Sequence, residues 1–235
     1  MKRLFFTTLA ALLLVAIDGT AQGEPVPFQR KFMIGPTAGV NLSNLIFTPK
    51  VQQDPKIGFD AGLVMRYDIG YVYNLSNVVG GIWIELDYSQ RGWMEKPKDL
   101  DEPYNQLGLF YDRTLTFVNM PIMTQLTFGK KALKLTIDMG AHFGYLISES
   151  AKSNFGDQKI PGVVTRQHEM PVENKFAWGI GGGVGTEYHF SHFVAGIRAS
   201  YVYGLGEIYG NSRSDYFGKS SEQIIAAKAY FLYVF

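Results

Sequence analysis

A chain of 235 residues has room for one sizeable domain and hardly two. The lack of cysteine excludes disulfide staples, thiolate metal sites and a lipid-bearing N-terminal cysteine, and a formal net charge of +1 gives no bulk attraction to nucleic acid. Charged residues at 18%, aromatics at 14% and 26 glycines describe a chain of many strands with a large apolar surface.

The chain opens on a targeting signal. Lys2 and Arg3 are followed by an apolar run from Leu9 to Ile17 and by the small residues Gly19-Thr20-Ala21. That is the pattern of a secretory signal peptide, residues 1–21, with cleavage near Ala21–Gln22 and one domain over residues 22–235. The apolar core is too short for a spanning helix, which needs about 20 residues. A mature chain seated in a membrane must therefore cross it as strands.

Strands follow with period two. The first is expected over Lys31–Asn41 and the second over Ile57–Tyr73. In the second, Ile57, Phe59, Ala61, Leu63, Met65, Tyr67 and Ile69 fall on one face, and Asp60, Arg66 and Asp68 fall on the other with several glycines. Further strands are expected over Val78–Gly92, Arg113–Phe128, Ala132–Ser148, Asn174–Phe190 and Phe193–Leu205. A last run places Ile225, Ala227, Ala229, Phe231, Tyr233 and Phe235 on one face. The links alternate: short at 74–77, 129–131 and 191–192, long and polar at 42–56, 93–112, 149–173 and 206–222. Short turns at one end and long loops at the other are the layout of a transmembrane, antiparallel, up-and-down β-barrel of about eight strands. The short turns are expected in the periplasm and the long loops outside the cell.

Aromatics gather toward strand ends. Phe32, Tyr71, Tyr73, Phe128, Tyr188, Phe193, Tyr233 and Phe235 fall toward the short turns. Tyr88, Trp93, Phe117, Tyr145, Phe176, Trp178 and Tyr203 fall toward the long loops. Such rings suit the headgroup layers. In this barrel the polar faces turn inward, so a lumen-facing cluster of Asp60, Arg66, Glu85, Asp87, Arg91, Asp138, His142, Glu187, Arg198 and Lys228 is expected, with Lys31, Asp68, Lys134 and Lys175 on the same faces. Eight strands enclose only enough space for side chains, and the near balance of acids and bases allows pairing. A filled lumen without a diffusion pore is the expectation. A soluble lipocalin-like barrel is the architectural rival, with the two faces reversed.

No enzyme is expected. His142 shares a face with Asp138, but local spacing places no serine beside it. His189 and His192 flank a turn as solvated residues, and neither a metal nor a cofactor is assigned. The glycines from Gly179 to Gly185 lack dinucleotide-binding spacing and make room inside a strand. No basic run interleaved with aromatics suggests nucleic acid. The link 149–173, with Lys152, Asp157, Lys159, Arg166 and Glu169, offers a partner-contact surface.

Several motifs in order carry a family resemblance: Gly35-Pro-Thr-Ala-Gly39-Val40-Asn41-Leu42-Ser43, Gly58-Phe59-Asp60-Ala61-Gly62, Glu85-Leu86-Asp87-Tyr88-Ser89-Gln90-Arg91-Gly92 and Asn119-Met120-Pro121-Ile122. Gly144-Tyr145-Leu146, the glycine run and Arg198-Ala-Ser200-Tyr201 follow. Together they resemble the PorT-like outer-membrane β-barrel family of Bacteroidetes. The resemblance implies residence in the cell outer membrane. It also implies that Phe231, Tyr233 and Phe235 form a C-terminal signal read by the outer-membrane insertion machinery. Pro121 within a strand removes a ladder donor, and a bulge is expected there. The role expected is structural or interaction-based, as a monomer surrounded by outer-membrane lipid, in contact with other secretion or envelope proteins if it has partners. A component of type IX protein secretion, a membrane-embedded hydrolase or acyltransferase, and a narrow channel are the alternatives.

Overall fold

A computed structural model describes residues 28–72, 75–98, 100, 104–156, 160–210 and 216–235; the expected signal peptide, Tyr73, Asp157 and Lys159 lie outside them. Eight antiparallel strands form a closed barrel in sequence order: β1 Lys31–Thr48, β2 Asp54–Tyr71, β3 Val78–Glu95, β4 Tyr111–Phe128, β5 Leu133–Ser153, β6 Phe176–His189, β7 Phe193–Glu207 and β8 Lys219–Val234. β8 returns to pair with β1, from Met33↔Val234 to Thr48↔Lys219. A single α-helical turn, α1, spans Arg166–Glu169 between β5 and β6. No helix of the described residues is long and apolar enough to cross a membrane.

The two faces separate by chemistry. Leu63 is 54% exposed and Ile137 50%, whereas Arg66 is 1% exposed and Asp138 3%. Phe59 and Phe231 also point outward. A barrel that turns its oily side chains outward and buries its ions is the reverse of the lipocalin-like arrangement.

Most strands are longer than the periodicity of the sequence suggests, β6 being the shorter exception at Phe176–His189 against an expected Asn174–Phe190. β1 continues seven residues past Asn41, β5 five past Ser148, and β1 to β4 each run 18 residues. A bilayer needs only about 9–11 tilted strand residues. The surplus lies at the end opposite the short turns and takes up most of the link at 42–56 and the two ends of the link at 93–112. It was hidden because the inward positions change character there. Leu45, Phe47, Trp93, Tyr111, Leu115 and Phe117 are apolar or aromatic and fully buried, so polar-in alternation fades while the ladder goes on.

Pro121 is accommodated without the expected bulge. The β3–β4 ladder skips the pairs between Ile84↔Ile122 and Asp87↔Asn119 but keeps its register, and the shift in this region falls on the β4–β5 side at Thr116/Phe117. The missing proline N–H thus costs a local gap in one ladder. Glycines on the inner faces clear space for large neighbours. A β-carbon on Gly183 would lie 2.9 Å from the Arg198 Nε, and one on Gly196 would enter the Tyr230 ring.

Candidate functional site

The interior is built in layers. Nearest the short turns, β2 presents Arg66 inward, two residues from Asp68 on the same face. Arg66 donates from Nη1 to Glu187 Oε2 at 2.7 Å, from Nε to Asp68 Oδ1 at 2.7 Å and from Nη2 to Thr127 Oγ1 at 2.9 Å. Glu187 also accepts from the Tyr230 hydroxyl at 2.9 Å, and His189 Nε2 lies 2.7 Å from its other oxygen. Met33, Val64, Trp83, Met123, Val194 and Leu232 pack with Tyr230 as a buried apolar layer at this level. Charge-assisted bonds in such surroundings gain strength from the low local dielectric.

The next layer ties distant strands together. Arg198 on β7 grips Asp138 on β5 with both a 2.7 Å and a 2.6 Å bond. Lys228 on β8 reaches across to β3, donating to Glu85 at 2.7 Å and to Asp87. The Trp83 indole N–H holds the other oxygen of Glu85 at 2.6 Å. Above this, Arg91 pairs with Glu222 at 3.0 Å, donates to Asn119 at 3.3 Å and lies 3.7 Å over the Phe117 ring. Two cavities of about 20 and 30 Å³ adjoin here, each lined by Arg91, Asn119 and His142. Each has the volume of about one water molecule. Asp60 and Asp87 line the larger.

The end opposite the short turns carries an apolar cap. Phe47, Trp93, Tyr111, Phe155, Tyr209 and Phe217 are buried together with residues of the links. One carboxylate organises it. Glu95, 1% exposed, accepts from the Trp93 indole at 2.7 Å and from Gln167 Nε2 at 3.1 Å, and its Oε2 lies 2.8 Å from His168 Nε2. The His168 ring stacks on Tyr111 with centroids 3.8 Å apart and meets Phe155 edge-on. α1 thus inserts Gln167 and His168 into the barrel mouth. Arg113 bonds Glu149 at 2.6 Å and Tyr111 at 3.0 Å, while Lys56 pairs with Asp112. Tyr209, in the link after β7, donates to the Gln167 carbonyl at 3.3 Å, and burial pushes its hydroxyl pKa above the ordinary value.

Asp60, Arg66, Glu85, Asp87, Arg91, Asp138, Glu187 and Arg198 are all buried, and the Lys228 side chain is nearly so. His142 is half-buried on the lining of both cavities, away from Asp138, whose oxygens are occupied by Arg198. Among the described residues its Nε2 has no hydrogen-bond partner. His189 contacts Glu187, His192 contacts Ser191, and the described residues contain no group of three candidate metal ligands. Phe231, Tyr233 and Phe235 face outward.

Four placements differ from the sequence reading. Lys31 and Lys175 are exposed at the strand ends, beyond the reach of the lumen. Trp93 and Phe117 are not belt residues; both have inward parity, and both are fully buried in the cap. The sequence reading also missed Glu95, Gln167 and Arg113, and it gave His168 no role. A signal existed for Glu95: Trp83-Ile-Glu85 and Trp93-Met-Glu95 repeat one spacing, which places tryptophan and glutamate on one strand face. Nothing local marks Gln167, which acts through a contact 72 residues away.

The chain is similar in structure to the crystal structure of Ail, the attachment invasion locus protein of Yersinia pestis, at TM-score 0.38 and 15% identity, covering 86% of this chain and 98% of that one. It is also similar to Neisserial surface protein A, at TM-score 0.41 and 12% identity, covering 85% and 95%. None of the curated protein sequences matches the chain. The family model described as outer membrane protein beta-barrel domain matches residues 20–210. With its outward apolar face and closed ring of eight strands, the chain belongs to the outer membrane protein beta-barrel domain family and is a protein of the outer membrane.

Proposed function

We propose that this protein is a non-conducting barrel with a structural or interaction role and no enzymatic step, working as a monomer in outer-membrane lipid. In this reading the short turns face the periplasm and the capped end faces the cell exterior. The observation that supports it most directly is the occupied interior. Buried ion pairs span the lumen from Arg66–Glu187 to Arg91–Glu222, and Glu95, Gln167 and His168 close over them. An open pore would need a continuous wet path past these side chains. The surface left for recognition is then the cap and its links.

Planar-bilayer recording of the purified, heat-modifiable barrel tests the reading. Current at the lipid baseline is expected; reproducible unitary steps would overturn it. The narrower reading, a PorT-type component of type IX protein secretion, is supported by the motifs around Glu85–Gly92 and Asn119–Ile122. Gene deletion followed by an assay of exported cargo tests it: lost export supports that role, and unchanged export removes it.

A further inference from the structure

The short-turn end of the barrel has cations at its rim and its carboxylates buried. Arg30 and Lys31 lead into β1, and Lys130 and Lys131 form the β4–β5 turn; all four are exposed. Among the described residues none of them takes part in an ion pair. The carboxylates nearest this end, Asp68 and Glu187, are buried and held by Arg66. Apart from the chain terminus at Phe235, no exposed carboxylate accompanies the cations among the described residues at this end. The opposite end mixes signs, with pairs such as Lys98–Asp54 and Arg166–Glu169.

Two further observations say what the cations face. Just inside the rim, the lipid-facing surface carries Phe32, Phe193, Tyr233 and Phe235, in ring contact as Phe32–Phe235 and Phe193–Tyr233 at 5.8 and 5.4 Å. Aromatic girdles sit at the headgroup layer, so the cations stand level with lipid phosphates. In a ring of eight strands, β1 and the β4–β5 turn are on opposite sides. The charge therefore flanks the barrel on two sides, as surrounding lipid requires, and does not gather into one patch for a compact partner.

We propose that Arg30, Lys31, Lys130 and Lys131 bind the phosphates of anionic phospholipids in the leaflet on the short-turn side. The phospholipid identity rests on the proposed periplasmic orientation of that end. These contacts hold the barrel at fixed depth and strengthen as salt is lowered.

The test is native mass spectrometry of the whole refolded protein with phosphatidylglycerol or phosphatidylcholine. The wild type is expected to retain phosphatidylglycerol in preference. A variant with all four residues changed to Gln should lose about tenfold or more of that retention. A matched variant, with Lys50, Lys96, Lys152 and Lys175 changed to Gln, should keep it. Equal retention of both lipids by the wild type, or equal loss in the two variants, would overturn the proposal. Charge-dependent capture of peptidoglycan without a phosphatidylglycerol preference would assign the rim to the cell wall instead and equally overturn it. A Lys131→Cys variant in intact cells should resist a membrane-impermeant thiol reagent. Labelling would refute the orientation and the phospholipid assignment, yet leave the non-conducting reading to the bilayer recording.

Discussion

Arg66 and Glu187 are 121 residues apart in sequence and meet at 2.7 Å inside the barrel, one on β2 and the other on β6. Both are essentially excluded from solvent. Breaking one side of a buried pair leaves the other charge uncompensated, at a cost of about 3–5 kcal/mol. Arg66→Met is therefore expected to lower the stability of the refolded barrel by about that amount, read as the urea midpoint in lipid vesicles. Pairing it with Glu187→Gln should recover part of the loss, because Asp68 remains beside the methionine. Additive effects of the two substitutions would mean that the pair is energetically uncoupled.

The outer face has its own sensitivity. Leu63→Arg places a charge where a half-exposed leucine meets lipid. The expected destabilisation is about 2–4 kcal/mol near the bilayer midplane and less toward either interface. Urea titration in vesicles checks it. An unaffected midpoint would contradict the assignment of this face to hydrocarbon.

Much of this arrangement was legible in the sequence. Period-two runs such as Ile57–Ile69 announce both strand and facing, because alternation along a strand maps directly onto the two sides of a sheet. The identity of the inward charges came from the same parity. The partners did not: parity says that Lys228 points in, but only barrel closure decides that it meets Glu85 on a strand five places away. The cap was illegible for a further reason. Where the barrel leaves the bilayer, apolar residues turn inward, and Trp93 and Phe117 carry the same hydrophobic signature as belt residues on the opposite face.

The cap can be loosened without opening the barrel. Gln167→Ala removes the amide that bonds Glu95 and the Val164 carbonyl. Hydrogen exchange in residues 160–173 is expected to speed up several-fold, with the strands unchanged. Uniform loss of protection throughout the barrel would show that the cap and strands open as one unit.

Alkaline pH should act on the same region. Tyr209 ionises at higher pH when buried in the cap than when released, where a tyrosine titrates at about 10. Above that value the released state has lost its proton while the docked state keeps it, so docking weakens as pH rises. Cap protection should fall above about pH 10, and Tyr209→Phe should flatten the fall. An identical pH profile for the variant would assign the effect to other groups.

Chain-end aromatics are expected to act on assembly more than on stability. Phe235 is 70% exposed and touches Phe32 and Tyr233. Phe235→Ala should reduce the heat-modifiable fraction recovered in outer membranes, while the midpoint of the folded protein shifts by only about 1 kcal/mol. Normal recovery in cells would remove its role as an insertion signal.

The bonds from Lys228 to Glu85 and Asp87 join the last strand to the third, and those from Arg198 to Asp138 join the seventh to the fifth. A half-built sheet inside the bilayer would present these ions to hydrocarbon with no counter-charge in reach. Hairpins threaded one after another into dry hydrocarbon would each carry that cost, which water beside the nascent interior relieves until the seam between β1 and β8 zips shut.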